Sequence, residues 1–102
     1  MQSARSIAED ELRHWRRLEA SEVLQVVAQH AKVDLSFHPR DSYKTVRWHA
    51  SVDGIDYELL TDRCKFWDTR ALKGGGGAID MVMHLKNLDF KTAVQFLASS
   101  GL

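Results

Sequence analysis

Four consecutive glycines, Gly74-Gly75-Gly76-Gly77, constrain this chain more than any other feature. Each loses an unusual amount of backbone freedom on ordering, so the run is expected to resist both helix and strand and to form a break. A periodic helical pattern starts at Ala78, with Ile79, Met81, Val82 and Leu85 as its apolar residues. Asn87 is placed to stop that helix, and Asp89 to cap a last one carrying Phe90, Ala93, Val94, Phe96 and Leu97. Free N–H groups and the positive end of a helix dipole after a glycine loop favour an anion. Gly74, Gly75 and Gly76 are therefore candidate phosphate contacts, although Asp80 in the first helical turn opposes an anion. The run reads equally as a turn that lets the helix pack close to a sheet. It is not a Walker loop, lacking the Gly-Lys-Ser/Thr ending, and it does not follow the strand pattern of a dinucleotide fingerprint.

Upstream, the period changes twice. Ile7, Leu12, Trp15 and Leu18 recur at helical intervals, with Glu9–Arg13 and Asp10–Arg13 as supporting charge pairs and residues 1–6 expected to fray. A break is expected at Ala20-Ser21, with Ser21 as the N-cap of a second helix whose apolar face is Val23, Leu24, Val26, Val27 and Ala31. Val33, Leu35 and Phe37 then alternate with polar residues as a strand does. Pro39 to Ser42 is turn chemistry, and a strand from Tyr43 to Ser51 places Val46, Trp48 and Ala50 on one face and Arg47 and His49 on the other. Asp53-Gly54 is a strong hairpin signal, returning through Ile55, Tyr57 and Leu59, with Asp56 and Glu58 opposite. A turn at Asp62-Arg63 leads into a short strand from Cys64 to Trp67. The expected fold is α+β: N-terminal helices, a small antiparallel sheet of three to five strands, and two C-terminal helices packed on it.

The chain has 102 residues, a length for one domain, with 14 basic residues against 14 acidic. Neutrality removes any global attraction to polyanions, but the distribution is uneven. Between residues 63 and 73, Arg63, Lys65, Arg70 and Lys73 face only Asp68. Lys65 and Trp67 share a strand face, a cation beside an aromatic that suits single-stranded nucleic acid. Trp48 and Phe66 are expected in the core, and Trp67 is open between core and surface. No apolar run approaches the ~20 residues of a membrane span. The N-terminal stretch has no apolar run of signal-peptide length, so a cytoplasmic location is expected.

The single cysteine, Cys64, builds neither a disulfide nor a cysteine-rich zinc site, and His14, His30, His38, His49 and His84 are scattered. No metal, cofactor or catalytic residue is expected. Cys64 reads as an inert half-buried thiol, and Asp56, Glu58, Asp62 and Asp68 as a solvated hairpin face rather than a magnesium site.

The stretch from Phe66 to Ala98 resembles the end of the N-terminal zinc-binding domain of bacterial DNA primases. Gly75, Gly76, Ala78, Ile79 and Asp80 match that family's glycine turn and helix start, and Phe90, Ala93, Val94 and Leu97 match its last helix. The helix from Val23 to Ala31, followed by Val33 and Leu35, resembles the opening helix and strand, so the likeness covers residues 21–98. Residues 1–20 then read as a helical extension and 21–102 as the primase-like module. The family's cysteines fall at Thr69 and Leu72, and of its upstream ligand pair only His49 remains near Trp48 to Val52. The chain thus resembles a zinc-less, zinc-ribbon-like relative, of the kind found in mobile-element primase or topoisomerase-primase (Toprim) proteins. Without zinc, apolar packing is expected to hold the sheet, with Leu72 in a ligand's place.

The resemblance implies a non-catalytic DNA-replication module that contacts single-stranded DNA, working beside a primase, Toprim or helicase protein. It would assign the contact to Arg47, Lys65, Trp67, Arg70 and Lys73. The rival expectation is a protein-interaction domain docking through Leu12, Trp15 and Leu18. Exposure of Trp15 favours the rival, and exposure of Trp67 favours nucleic acid.

Overall fold

A computed structural model describes residues 8–40 and 44–102. The expectations for residues 1–7, and those for Asp41, Ser42 and Tyr43, lie outside the described residues. The fold is α+β. Helices α1 (Glu9–Arg17) and α2 (Ala20–Val27) precede strands β1 (His30–Val33), β2 (Val46–Val52), β3 (Ile55–Asp62), β4 (Lys65–Asp68) and β5 (Lys73–Gly76), and helices α3 (Ala78–Lys86) and α4 (Phe90–Ser100) follow. The strands form one antiparallel meander in chain order.

Alternation along each strand divides the sheet. Ala31, Val33, Trp48, Ala50, Val52, Tyr57, Leu59, Thr61, Phe66 and Asp68 share one face by register. That face packs with Trp15, Val23, Leu24, Val27, Ile79, Met81, Val82, Leu85, Val94 and Leu97 into a single core. Trp15 of α1 is 3% exposed, so the first helix shares the core of the rest. Buried polar groups on this face are paired: the Trp48 indole donates to Thr61 Oγ1 at 3.0 Å. Among the described residues, no side chain on the opposite face of the sheet is buried.

Several expectations hold. The β2–β3 hairpin turns on Asp53 and Gly54, both at positive φ (50° and 85°), as a two-residue primed turn requires. Asn87 ends α3 in the left-handed conformation, and Asp89 caps α4 by accepting from the Thr92 amide at 2.8 Å. Trp48 and Phe66 are in the core.

Others need correction. The N-cap of α2 is Glu19, not Ser21, and the Ala20 amide donates to the Arg63 carbonyl at 2.7 Å, so a tertiary bond sets the helix start. That helix ends at Val27, and Ala31 lies in β1. The first strand stops at Val33; Asp34 accepts from the Ser36 amide and hydroxyl in a local turn, leaving Leu35 89% exposed. The β3–β4 turn is Arg63-Cys64, one residue later than expected, with Asp62 and Lys65 opposite each other in the strand register.

The largest correction concerns the glycines. Gly74, Gly75 and Gly76 belong to edge strand β5, paired with Trp67, Phe66 and Lys65 of β4. Only Gly77, at φ 93°, turns the chain into α3. The entropic cost of ordering glycine is met by space that a side chain would fill. A β-carbon at Gly74 would run into the Phe66 carbonyl oxygen and sit 2.7 Å from Trp67 Cε3. One at Gly75 would lie 3.0 Å from Asp80 Oδ2 and 3.2 Å from Phe66 Cε1. Neighbours thus close on β5 from both faces, and residues without side chains are what fit at Gly74 and Gly75.

At Gly76 the nearest atom to such a carbon is Lys65 Cγ, 3.9 Å away. Gly74→Ala is therefore expected to destabilise the fold by about 1–3 kcal/mol. Gly76→Ala should stay within about 0.5 kcal/mol of the parent. Urea unfolding midpoints of the two variants check this; equal tolerance at both positions would mean that β5 is not packed as described.

Candidate nucleic-acid interface

The helix-free face of the sheet is ordered in cross-strand rows. Asp62, Lys65 and Gly76 form one row, and Arg47, Leu60, Trp67 and Gly74 the next. Lys32, His49 and Glu58 follow, and then His30, Ser51 and Asp56. Trp67 is 43% exposed, resting on the bare backbone at Gly74. Around it lies a shallow hollow of about 440 Å³, its lining including Thr45, Leu60, Asp62, Lys65 and Gly74. Lys65 is exposed and makes no ion pair among the described residues. An indole face, an aliphatic neighbour and a free ammonium group are thus brought together by the pleat.

Arg47 shares this face but is not a free cation. Its Nη2 donates to Glu58 Oε1 at 3.1 Å, and its Nε lies 3.8 Å from Asp34 Oδ2. His49 sits between the same two carboxylates, 3.2 Å from Asp34 and 3.7 Å from Glu58. Asp34 is drawn down to about 2, first by the Ser36 hydroxyl and amide bonds and then by His49. Arg70, in the β4–β5 turn, reaches across to the Asp56 carbonyl at 3.3 Å and to Glu58 at 3.9 Å.

The remaining sequence candidates are dispersed. Arg63 lies in the exposed β3–β4 turn. Lys73 is exposed at the sheet edge but pairs with Asp68, so its register points it to the helix side, away from Trp67. The glycines present no free loop at the helix start. The Gly76 amide donates to Asp80 Oδ2 at 3.3 Å, and the Gly77 amide donates to the Cys64 carbonyl at 2.9 Å. The carboxylate expected to oppose an anion therefore occupies that position itself. Cys64 is a free, half-buried thiol.

Asp68 is not a solvated residue. It is 3% exposed and accepts from His84 Nε2 of α3 at 2.7 Å. Its other oxygen accepts from the Arg70 and Ala71 amides at 3.0 and 3.1 Å. One carboxylate thus folds the β4–β5 turn and ties it to a helix. Phe66 and Tyr57 flank His84, with ring centroids at 5.6 and 6.1 Å. Leu72, expected to pack where a metal ligand stands in the primase family, is 70% exposed at φ 57°. A polar brace holds this corner, not apolar contact. Among the described residues no group of three His, Cys, Asp or Glu side chains is placed to hold a metal ion, and no helix is long and apolar enough to cross a membrane.

In the sequence Asp34 is a polar residue alternating along the first strand and Glu58 part of a solvated hairpin face, and nothing in their spacing pairs them with Arg47. Asp68 and His84 stand 16 positions apart, on a strand and a helix whose mutual placement no local pattern encodes.

No protein-family model matches the chain, and no solved structure matches it. A stretch of 42 residues is 48% identical to part of a protein described as the 65 kDa protein of Zymomonas mobilis subsp. mobilis, covering 41% of this chain and 7% of that protein.

Burial by itself would raise the Asp68 carboxyl, but the bonds from His84, Ala71 and Arg70 outweigh it and hold it below its ordinary value. A carboxyl lowered by folding stabilises the fold above its unfolded pKa, about 3.9, and that contribution is lost as pH falls through the lowered value. Asp68→Asn is expected to cost about 1–3 kcal/mol near neutral pH. The deficit should shrink on acidification below about pH 4, so that the two stability curves converge. Urea unfolding across that range checks this; parallel curves would contradict it.

Proposed function

We propose that this chain is a non-catalytic module that contacts single-stranded DNA through the helix-free face of its sheet. Trp67 stacks on a base, and Lys65 neutralises an adjacent phosphate. The observation that carries this reading is the exposure of Trp67 beside a lysine that makes no ion pair among the described residues, while Trp15 and Trp48 are buried. A large aromatic on an open sheet face contributes nothing to the core, and every base has a face to stack against it.

The resemblance to the primase zinc-binding domain points the same way and suggests the setting, a cytoplasmic primase-like or mobile-element protein in which this module positions template beside a primase, Toprim or helicase partner. The rival reading, a partner docking on the N-terminal helix, needs Trp15 at the surface. The fold turns it inward at 3% exposure and leaves Leu12 and Leu18 partly packed on the core.

Fluorescence anisotropy of a labelled oligo(dT) is expected to show salt-sensitive binding by the parent chain. Trp67→Ala should weaken it by about 5- to 100-fold, the loss of one stacked base. Lys65→Glu should weaken it too and flatten the log K against log salt slope by about 0.7, one phosphate contact on a single strand. Lys73→Glu, on the other side of the edge strand, should do less than Lys65→Glu. Absence of binding at low salt, or equal affinity of the parent and Trp67→Ala, would contradict the reading.

A further inference from the structure

Beside Trp67 the open face carries Arg47, His49 and Arg70 arranged around two carboxylates, Glu58 and Asp34, and this arrangement bears on how the surface would treat phosphate. Glu58 Oε1 takes Arg47 Nη2 at 3.1 Å, while its Oε2 stands 3.7 Å from His49 Nδ1 and 3.9 Å from Arg70 Nη2. Asp34 takes the other side of His49 and of Arg47. The contacts differ in quality. The Arg47–Glu58 and His49–Asp34 pairs have near hydrogen-bond length, but the Arg70–Glu58 and Arg47–Asp34 separations do not. Arg47 Nε is buried and, among the described residues, has no hydrogen-bond acceptor, Asp34 standing 3.8 Å away. A settled structural network would satisfy that donor; this one leaves a guanidinium short of an acceptor and a second one loosely held.

A carboxylate and a phosphate offer a guanidinium the same pair of acceptor oxygens. Glu58 lies two residues along β3 from Leu60, the cross-strand partner of Trp67, so it stands about 7 Å from the stacking row. A strand stacked on Trp67 and running across the sheet would bring a phosphate to Arg47 and Arg70, where Glu58 already sits. We propose that Glu58, supported by Asp34, is an intramolecular competitor for phosphate. It holds Arg47 and Arg70 away from the nucleic-acid backbone, confines binding to the Trp67–Lys65 end of the face, and keeps affinity for single strands low. The inference rests on the single-strand reading above and names the residue that limits it.

The test is oligo(dT) binding by Glu58→Gln, in which the amide oxygen still accepts from Arg47 while the charge is gone. Asp56→Asn serves as control, removing an equal charge from the same face and strand without touching an arginine side chain in an ion pair. Glu58→Gln is expected to bind about three- to tenfold more tightly than the parent, with a salt slope steeper by about 0.7 to 1.4, one or two added phosphate contacts. Asp56→Asn should leave the slope unchanged. Asp34→Asn, which retains an acceptor for Ser36, should move in the same direction as Glu58→Gln and stands in for it should that variant fold poorly by circular dichroism. Parent binding that depends on Trp67 but is no tighter in Glu58→Gln than in Asp56→Asn overturns this inference and leaves the single-strand reading standing. Absence of binding by the parent and by both neutralised variants overturns the two together.

Discussion

One-sided burial of the five-stranded sheet is the constraint on which the rest of the structure depends. All the buried strand side chains, from Trp48 and Val52 through Leu59 to Phe66, point to the face where the helices lie. The pleat then forces every second residue to the other side. A register slip of one residue would exchange Trp48 with Arg47 and Phe66 with Trp67. The composition of the open face is therefore a by-product of the same alternation that builds the core. It carries Arg47, two histidines, two lysines and the carboxylates Asp56, Glu58 and Asp62, where the buried face is mostly aromatic and aliphatic.

The far edge of the sheet is shaped by close approach. Trp67 lies on β4 against the bare backbone of Gly74, and Asp80 and Phe66 press on Gly75 from the helix side. Glycine here is a requirement of space, and its consequence is exposure: a wide indole rests on backbone and stays open to solvent on its outer face. The adjoining turn is fixed by Asp68, whose two oxygens serve His84 and the Arg70 and Ala71 amides. The same carboxylate therefore sets where Arg70 leaves the turn and reaches Glu58. Core, turn and surface network are mechanically continuous through one buried acid.

Short-range chemistry was legible in the sequence and long-range placement was not. Asp53-Gly54, Asn87 and Asp89 act through their own backbone neighbours, and each sits where local rules put it. The α+β order and the core positions of Trp48 and Phe66 followed from periodicity. Glu19 displaced Ser21 as the cap of α2 because the Ala20 amide is taken by the Arg63 carbonyl, a partner more than forty positions away. The glycine run defied its local preference because Trp67 and Asp80 occupy the volume beside it. Lys65 and Lys73 look alike as lysines of one basic segment, but β4–β5 register sends them to opposite faces. The pairing of Arg47 with Glu58 and Asp34 appears only once three strand segments lie side by side.

The central claim is that the helix-free face, and Trp67 within it, meets single-stranded DNA. The most direct measurement is a proton–nitrogen NMR titration of the chain with oligo(dT), read at the three indole N–H signals and at the backbone amides. The account predicts movement of the Trp67 indole and of amides in β3, β4 and β5, with the buried Trp15 and Trp48 indoles left in place. Shifts concentrated on α1 and α4, or an unmoved Trp67 signal at saturating oligonucleotide, would contradict it.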